Sequence, residues 1–155
     1  MTRVKFCGFR HKDDIADAVA LGVDALGFVF YEPSSRYVAP EDAAILTCAV
    51  PAFLTRVGLF VNENAETIKR IFDVARLNLI QYHGEESPEF CDSVGLPYIK
   101  AFRVQQDMDI RGAIDRYPNA SGFLLDAYVK GQPGGTGERF DWGLIPRSYA
   151  PIILA

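Results

Sequence analysis

Two side chains able to transfer protons stand at the ends of predicted β-strands, Cys7 after residues 4–6 and Asp126 after the apolar run 122–125. Residues at strand ends face loops and ligands, whereas strand interiors pack. A thiol and a carboxyl group placed there are candidates for a base and an acid that exchange protons near neutral pH. Such a pair works without a metal or a redox cofactor, and the sequence predicts neither.

Each of these two residues also has a structural alternative. A free cysteine is most often a small buried hydrophobic residue. An aspartate at a strand end often caps a helix or orders a loop, and for Asp126 alone this alternative is favoured. Only partners from elsewhere in the chain can favour catalysis.

Two further residues at loops are candidates for substrate binding. Arg36 lies in a Ser-Ser-Arg-Tyr loop, where its guanidinium could hold a carboxylate or a phosphate with two hydrogen bonds. His83 follows the fourth predicted strand and either contacts substrate or bonds to the backbone. Asn62 and Arg103 stand at the ends of other strands, and the glycine-rich residues 131–137 could present amides to an anion or act as a lid.

The composition describes one globular domain, residues 1–155, with 49% hydrophobic and 23% charged residues. The net charge is −4 and the basic residues are scattered, which argues against a nucleic-acid or membrane partner. Three widely spaced cysteines indicate neither a disulfide framework nor a zinc site. The N-terminal residues lack the apolar core of a signal peptide, and a cytoplasmic location is predicted.

Strand-like and helix-like segments alternate along the chain, the pattern of a parallel sheet with crossover helices. Strands are predicted over residues 4–7, 25–30, 56–61, 77–82, 98–104, 122–126 and 151–155. Helices are predicted over residues 12–21, 40–50, 65–76 and 108–116, with another from Pro88. The pattern predicts an α/β fold of the (βα)8 TIM-barrel family, here an incomplete barrel of six strand-helix units plus a seventh strand. A doubly wound open sheet is the alternative, but no Gly-x-Gly-x-x-Gly follows the first strand.

Several ordered segments resemble one family, the phosphoribosylanthranilate isomerases of tryptophan biosynthesis. No single segment would suffice, but together they are specific. They are Val4-Lys5-Phe6-Cys7-Gly8, residues 24–30, Ser35-Arg36-Tyr37-Val38, residues 57–62, Gln81-Tyr82-His83-Gly84-Glu85-Glu86, Leu124-Leu125-Asp126, residues 134–137 and Phe140-Asp141-Trp142. Tyr82 stands where the family more often has Leu, and Arg10 where it usually has Thr.

The resemblance implies an Amadori rearrangement of N-(5-phosphoribosyl)anthranilate to 1-(2-carboxyphenylamino)-1-deoxyribulose 5-phosphate. It assigns to Asp126 the protonation of the ribose ring oxygen and to Cys7 the removal of the C2 proton. Arg36 is expected to hold the anthranilate carboxylate, and His83 to line the site. No cofactor is implied, and the protein is expected to be a monomer or homodimer.

The family's sequence continues beyond the strand that matches residues 151–155, into loops that bind the substrate phosphate. The isolated 155-residue chain is therefore expected to be inactive, because it lacks binding energy that orients the sugar. Two alternatives stay open. The chain could be another sugar-phosphate barrel isomerase, or a non-catalytic half-barrel that associates through its open edge.

Overall fold

Seven parallel strands form one sheet in chain order. The computed structural model describes residues 2–105, 108–127 and 142–155. The strands are β1 (Lys5–Cys7), β2 (Ala25–Val29), β3 (Thr55–Phe60), β4 (Leu79–Tyr82), β5 (Tyr98–Val104), β6 (Phe123–Ala127) and β7 (Ile152–Leu154). Within the described residues, β1 pairs only with β2 and β7 only with β6. The α/β class and the incomplete (βα) barrel are confirmed.

In the part of the chain that the structure describes, five α-helices lie between successive strands, as the alternating pattern predicted. They are α1 (Lys12–Ala20), α2 (Pro40–Thr47), α3 (Ala65–Val74), α4 (Pro88–Val94) and α5 (Ile110–Asp115). The described part of the connection from β6 to β7 contains one turn of 3-10 helix, Trp142–Leu144. No helix among the described residues is long and apolar enough to cross a membrane.

Local side-chain chemistry explains where the helices begin. Ser87 accepts a hydrogen bond from the amide of Phe90, and Pro88 occupies the first turn of α4, as predicted. Asn64 and Asp109 cap α3 and α5 in the same way, accepting from the amides of Thr67 and Gly112. Each cap satisfies a backbone donor that would otherwise lack a partner at the helix N-terminus.

The boundaries differ from the predictions mainly at helix ends. The sequence predicted that β4 begins at residue 77, but the Leu77 amide donates to the Phe72 carbonyl and so belongs to the C-terminal turn of α3. Arg76 before it has a φ of 48°, which reverses the chain direction. The strand therefore starts at Leu79. The glycine-rich residues 131–137 lie outside the described residues.

The sheet carries apolar side chains on both faces. The outer face packs on the helices and carries the largest buried side chains, among them Phe28, Phe60, Tyr82 and Phe123. The inner face carries smaller buried residues such as Val57 and Leu124. A strand buried on both faces is a nearly continuous apolar run, which is why β2 and β6 were recognisable in the sequence.

Tyr82 brings a hydroxyl group into the outer core. Its ring is fully buried and packs edge-on against Tyr98, but its hydroxyl finds no hydrogen-bond partner among the described residues. Burial raises the pKa of Tyr82, with the nearby Cys91 and Glu86 adding to the shift.

We therefore expect Tyr82→Phe to raise the free energy of unfolding by about 1 kcal/mol, since it removes an unpaired buried hydroxyl. Tyr98→Phe is the matched control, because the Tyr98 hydroxyl donates to Asp92 at 2.8 Å. That change should lower the stability by about 1–2 kcal/mol. Urea denaturation followed by circular dichroism measures both values, and a destabilised Tyr82→Phe protein would contradict the expectation.

Candidate active site

The Cys7 thiol packs against a glycine of the neighbouring strand. Cys7 pairs in register with Gly27 of β2, and a Cβ atom at position 27 would lie 2.5 Å from the Cys7 sulfur. Any side chain at position 27 would therefore displace the thiol. Cys7 is half-buried, so the sulfur is held in place while it stays accessible from the carboxyl edge of the sheet.

Gly8 brings the loop of Arg36 next to this thiol. Its φ of +100° is strained for any residue with a side chain, and a Cβ there would lie 2.6 Å from the Cδ atom of Arg36. The loop is fastened to β2, because the Val38 amide donates to the Val29 carbonyl at 3.0 Å. The exposed guanidinium makes no ion pair with the described residues, and its charge is free to meet an anion.

His83 and Asp126 form a second pair, from β4 and β6. The Nε2 atom of His83 lies 3.6 Å from Oδ2 of Asp126, and the side chains are 12% and 6% exposed. At that distance the two groups attract each other electrostatically, but they are not hydrogen-bonded. Asp126 pairs in register with Arg103 of β5, whose side chain is exposed.

The structure thus brings the four predicted site residues together in two pairs. Cys7 and Arg36 lie at the ends of β1 and β2, and His83 and Asp126 at the ends of β4 and β6. No hydrogen bond or ion pair links one pair to the other within the described residues. Their roles in catalysis and binding stay predictions. No group of His, Cys, Asp or Glu among the described residues is arranged to hold a metal ion.

Only one of the three cysteines occupies a reactive position. Burial raises the pKa of the Cys91 thiol to about 12, although the Lys100 ammonium acts in the opposite direction. Cys48 is exposed, and its thiol lies 3.2 Å from the Ala44 carbonyl one helical turn away. Cys91 is therefore inert and Cys48 lies just after the end of α2, which leaves Cys7 as the thiol at the carboxyl edge of the sheet.

A buried ion pair beneath the site was missed at the sequence level. Nζ of Lys100 on β5 lies 3.1 Å from Oε2 of Glu86, and the two side chains are 3% and 1% exposed. Lys100 also donates to the Gly84 carbonyl at 2.6 Å and the Ala101 carbonyl at 3.2 Å. The available signal was a lysine inside an apolar strand, a position in which lysine is rarely found without a partner.

Glu86 joins this ion pair to the loops around the site. Its carboxylate accepts from the amides of Asn62 at 2.8 Å and Gly84 at 3.0 Å. Asn62, with a φ of 52°, accepts at Oδ1 from the Glu85 amide. The Tyr117 hydroxyl donates to the Glu86 carbonyl at 2.8 Å. The loop that carries His83 is therefore fastened to β3, to β5 and to the chain after α5.

A family model agrees with the fold and with the constellation at the strand ends. Residues 4–155 match the model of N-(5'-phosphoribosyl)anthranilate (PRA) isomerase. Among curated proteins, the isomerase of Nitrosospira multiformis is 49% identical over 99% of this chain and 74% of its own length. The isomerase of Chromohalobacter salexigens is 50% identical over 99% of this chain and 72% of its own length.

Solved structures agree with the sequence relatives. The phosphoribosylanthranilate isomerase of Thermotoga maritima superposes with a TM-score of 0.85 and 40% identity, covering 93% of this chain and 70% of its own. A structure of such an isomerase with reduced 1-(o-carboxyphenylamino)-1-deoxyribulose 5-phosphate has a TM-score of 0.77 and 41% identity, covering 83% of this chain and 66% of its own. The fold and site define a (βα)-barrel isomerase. The chain belongs to the N-(5'-phosphoribosyl)anthranilate isomerase family, as its sequence motifs indicated.

The buried ion pair leads to a prediction about stability. Lys100→Met removes the partner of a buried carboxylate, and we expect it to lower the free energy of unfolding by about 3–5 kcal/mol. Arg70→Ala is the control, because Arg70 and Glu41 form an exposed ion pair at 3.9 Å. That change should alter the stability by less than about 1 kcal/mol. Urea denaturation measures both, and equal effects of the two substitutions would disprove the expectation.

Proposed function

We propose that this chain supplies the catalytic acid and base of a phosphoribosylanthranilate isomerase. The observation that carries the proposal is the placement of a thiol beside an arginine at one part of the carboxyl edge, and of a carboxylate beside a histidine at another. Membership of the family supports it, because the family model and the curated relatives are named N-(5'-phosphoribosyl)anthranilate isomerase.

The reaction needs proton transfer in two directions. Asp126 gives a proton to the ribose ring oxygen while the bond from that oxygen to C1 breaks, and the nitrogen lone pair forms a C=N bond. Cys7, as thiolate, then removes the proton from C2, and the electron pair of that bond forms an enolamine. Protonation of the enolamine at C1, with loss of the proton from the C2 hydroxyl as the C2=O bond forms, completes the aminoketose. Each step moves a proton and an electron pair, so no redox cofactor or metal enters the proposal.

Substrate binding is assigned to the charged groups next to the catalytic pair. The Arg36 guanidinium matches a planar carboxylate with two parallel hydrogen bonds, and we assign to it the anthranilate carboxylate. His83 lines the site beside Asp126. The substrate is a small phosphosugar-anthranilate, and we propose neither a nucleic-acid nor a membrane partner, with a cytoplasmic location. The protein is proposed to be a monomer or homodimer, and the Thermotoga maritima relative is described as dimeric with engineered monomers.

The activity of the 155-residue polypeptide by itself is a separate question. The expectation that it is inactive has no support from the relatives, which match 99% of the chain. The relatives are longer, and the chain spans 74% of the Nitrosospira multiformis isomerase. A direct assay compares residues 1–155 with a fusion protein that appends the remaining part of that relative. We predict a kcat/KM at least about 100-fold higher for the fusion protein, because remote binding energy orients the sugar. Equal values would disprove this.

The roles of Cys7 and Asp126 are tested in the same fusion protein. We expect Cys7→Ala and Asp126→Asn each to lower kcat by about 100-fold or more, the usual contribution of a positioned acid or base. Cys48→Ala is the matched control, because Cys48 is exposed just after the C-terminal end of α2, and it should leave kcat unchanged. The assay follows consumption of phosphoribosylanthranilate by its fluorescence.

Two outcomes would overturn the assignment. Retained activity in Cys7→Ala would exclude Cys7 as the base and favour a barrel isomerase that pairs two carboxyl groups. A fusion protein that turns over another aminoaldose phosphate, and not phosphoribosylanthranilate, would exclude the proposed substrate.

A further inference from the structure

Gln81 is an amide side chain buried inside the sheet, in contact with the histidine that lies beside the candidate acid. It is 2% exposed and lies two residues before His83 on β4, so both side chains project from the same face of the strand. Its register neighbours on β3 and β5 are Leu59 and Ile99, which offer no polar group. A buried amide among apolar neighbours is costly unless it is hydrogen-bonded.

The partner of this amide is the imidazole of His83. Nε2 of Gln81 lies 3.0 Å from Nδ1 of His83, whereas Oε1 of Gln81 has no partner in the described part of the chain. An amide nitrogen only donates, so Nδ1 must accept and carries no proton. The remaining ring proton of the neutral imidazole is then on Nε2, the atom that lies 3.6 Å from Oδ2 of Asp126.

The opposite orientation of the amide is less favourable at both ends. It would place Oε1 of Gln81 against a protonated Nδ1, which leaves Nε2 with no N–H group to offer Asp126 after that carboxyl group has given up its proton. It would also leave the amide NH2, with two donors, without a partner in place of the oxygen. The orientation in the structure gives the carboxylate an N–H group to attract.

We propose that Gln81 is a positioning residue for the reaction, which holds His83 as the neutral Nε2–H form and directs that N–H toward Asp126. This inference rests on the proposed role of Asp126 as the acid. When Asp126 gives its proton to the sugar oxygen, negative charge develops on its carboxyl group. The dipole of a neutral N–H group 3.6 Å away attracts an ionised oxygen more strongly than a neutral one, so His83 stabilises the product of the transfer while its own protons stay in place.

The tautomer of His83 can be read directly in the 155-residue chain. The sequence contains only two histidines, and the other, His11, is exposed and serves as an internal reference. Long-range 1H–15N correlation spectra at a pH near 8, above the ordinary histidine pKa of about 6.5, distinguish a protonated from an unprotonated ring nitrogen. We expect His83 to show a protonated Nε2 and an unprotonated Nδ1. A protonated Nδ1 would overturn the inference without any variant.

Two substitutions test whether Gln81 causes this state. Gln81→Met keeps the length and removes the donor, so both tautomers should become populated. Gln81→Glu offers an acceptor to Nδ1 and should protonate it. In the fusion protein we expect either change to lower kcat roughly 10-fold to 100-fold with little change in KM, the size of effect seen when a histidine that binds a metal loses the partner that fixes its tautomer and orientation. Ile99→Met, at the neighbouring register position, is the control and should change kcat less than about twofold.

The outcomes separate this inference from the proposed function. If Asp126→Asn abolishes activity but His83 of the unsubstituted protein carries its proton on Nδ1, only the role of Gln81 is overturned. If Asp126→Asn leaves the activity intact and His83 of the unsubstituted protein has the expected tautomer, the proposed function itself is overturned. A Gln81→Met protein with an unchanged tautomer or unchanged kcat would show that Gln81 does not position His83.

Discussion

The ion pair of Lys100 and Glu86 is where the loops of the site are joined to the sheet. Lys100 projects from β5 toward the helices, and its ammonium has carbonyl oxygens and one carboxylate around it. Two charges removed from water are tolerated only when their remaining hydrogen-bonding groups are also satisfied. That requirement determines where Gly84 and Asn62 must lie, and with them the loop that holds His83.

The two halves of the site are built by different means. Around Cys7, two glycines leave room: Gly8 allows the Arg36 loop, and Gly27 the thiol, to approach the backbone closely. Around Asp126, the neighbouring groups are polar and buried, and they extend from Gln81 through His83. A thiol needs access and room, whereas a carboxyl group that gains and loses charge needs fixed polar neighbours.

The fold was predictable because each strand is an apolar run followed by an amphipathic or capped helix. The range predicted for β5 is the range observed, and α4 begins where Ser87 and Pro88 indicated. The site was predictable only as a set of strand ends. The predicted set of site residues did not include Lys100 or Gln81. A buried polar residue is recognised by the partners that surround it, and most of those partners come from other parts of the chain. The sequence predicted α2 and α5 to be longer than they are, because helix ends are decided by local hydrogen bonds rather than by periodicity.

Because residue 27 has no side chain, part of the information that positions Cys7, the proposed base, lies on the neighbouring strand. The Cys7 sulfur can occupy its position because the paired residue on β2, Gly27, has no Cβ atom. Transplanting the base into another parallel barrel would therefore require two strands to be copied together, a cysteine on one and an empty position on its neighbour. A search for this arrangement in unrelated barrels should compare pairs of register positions, because neither residue carries the signature alone.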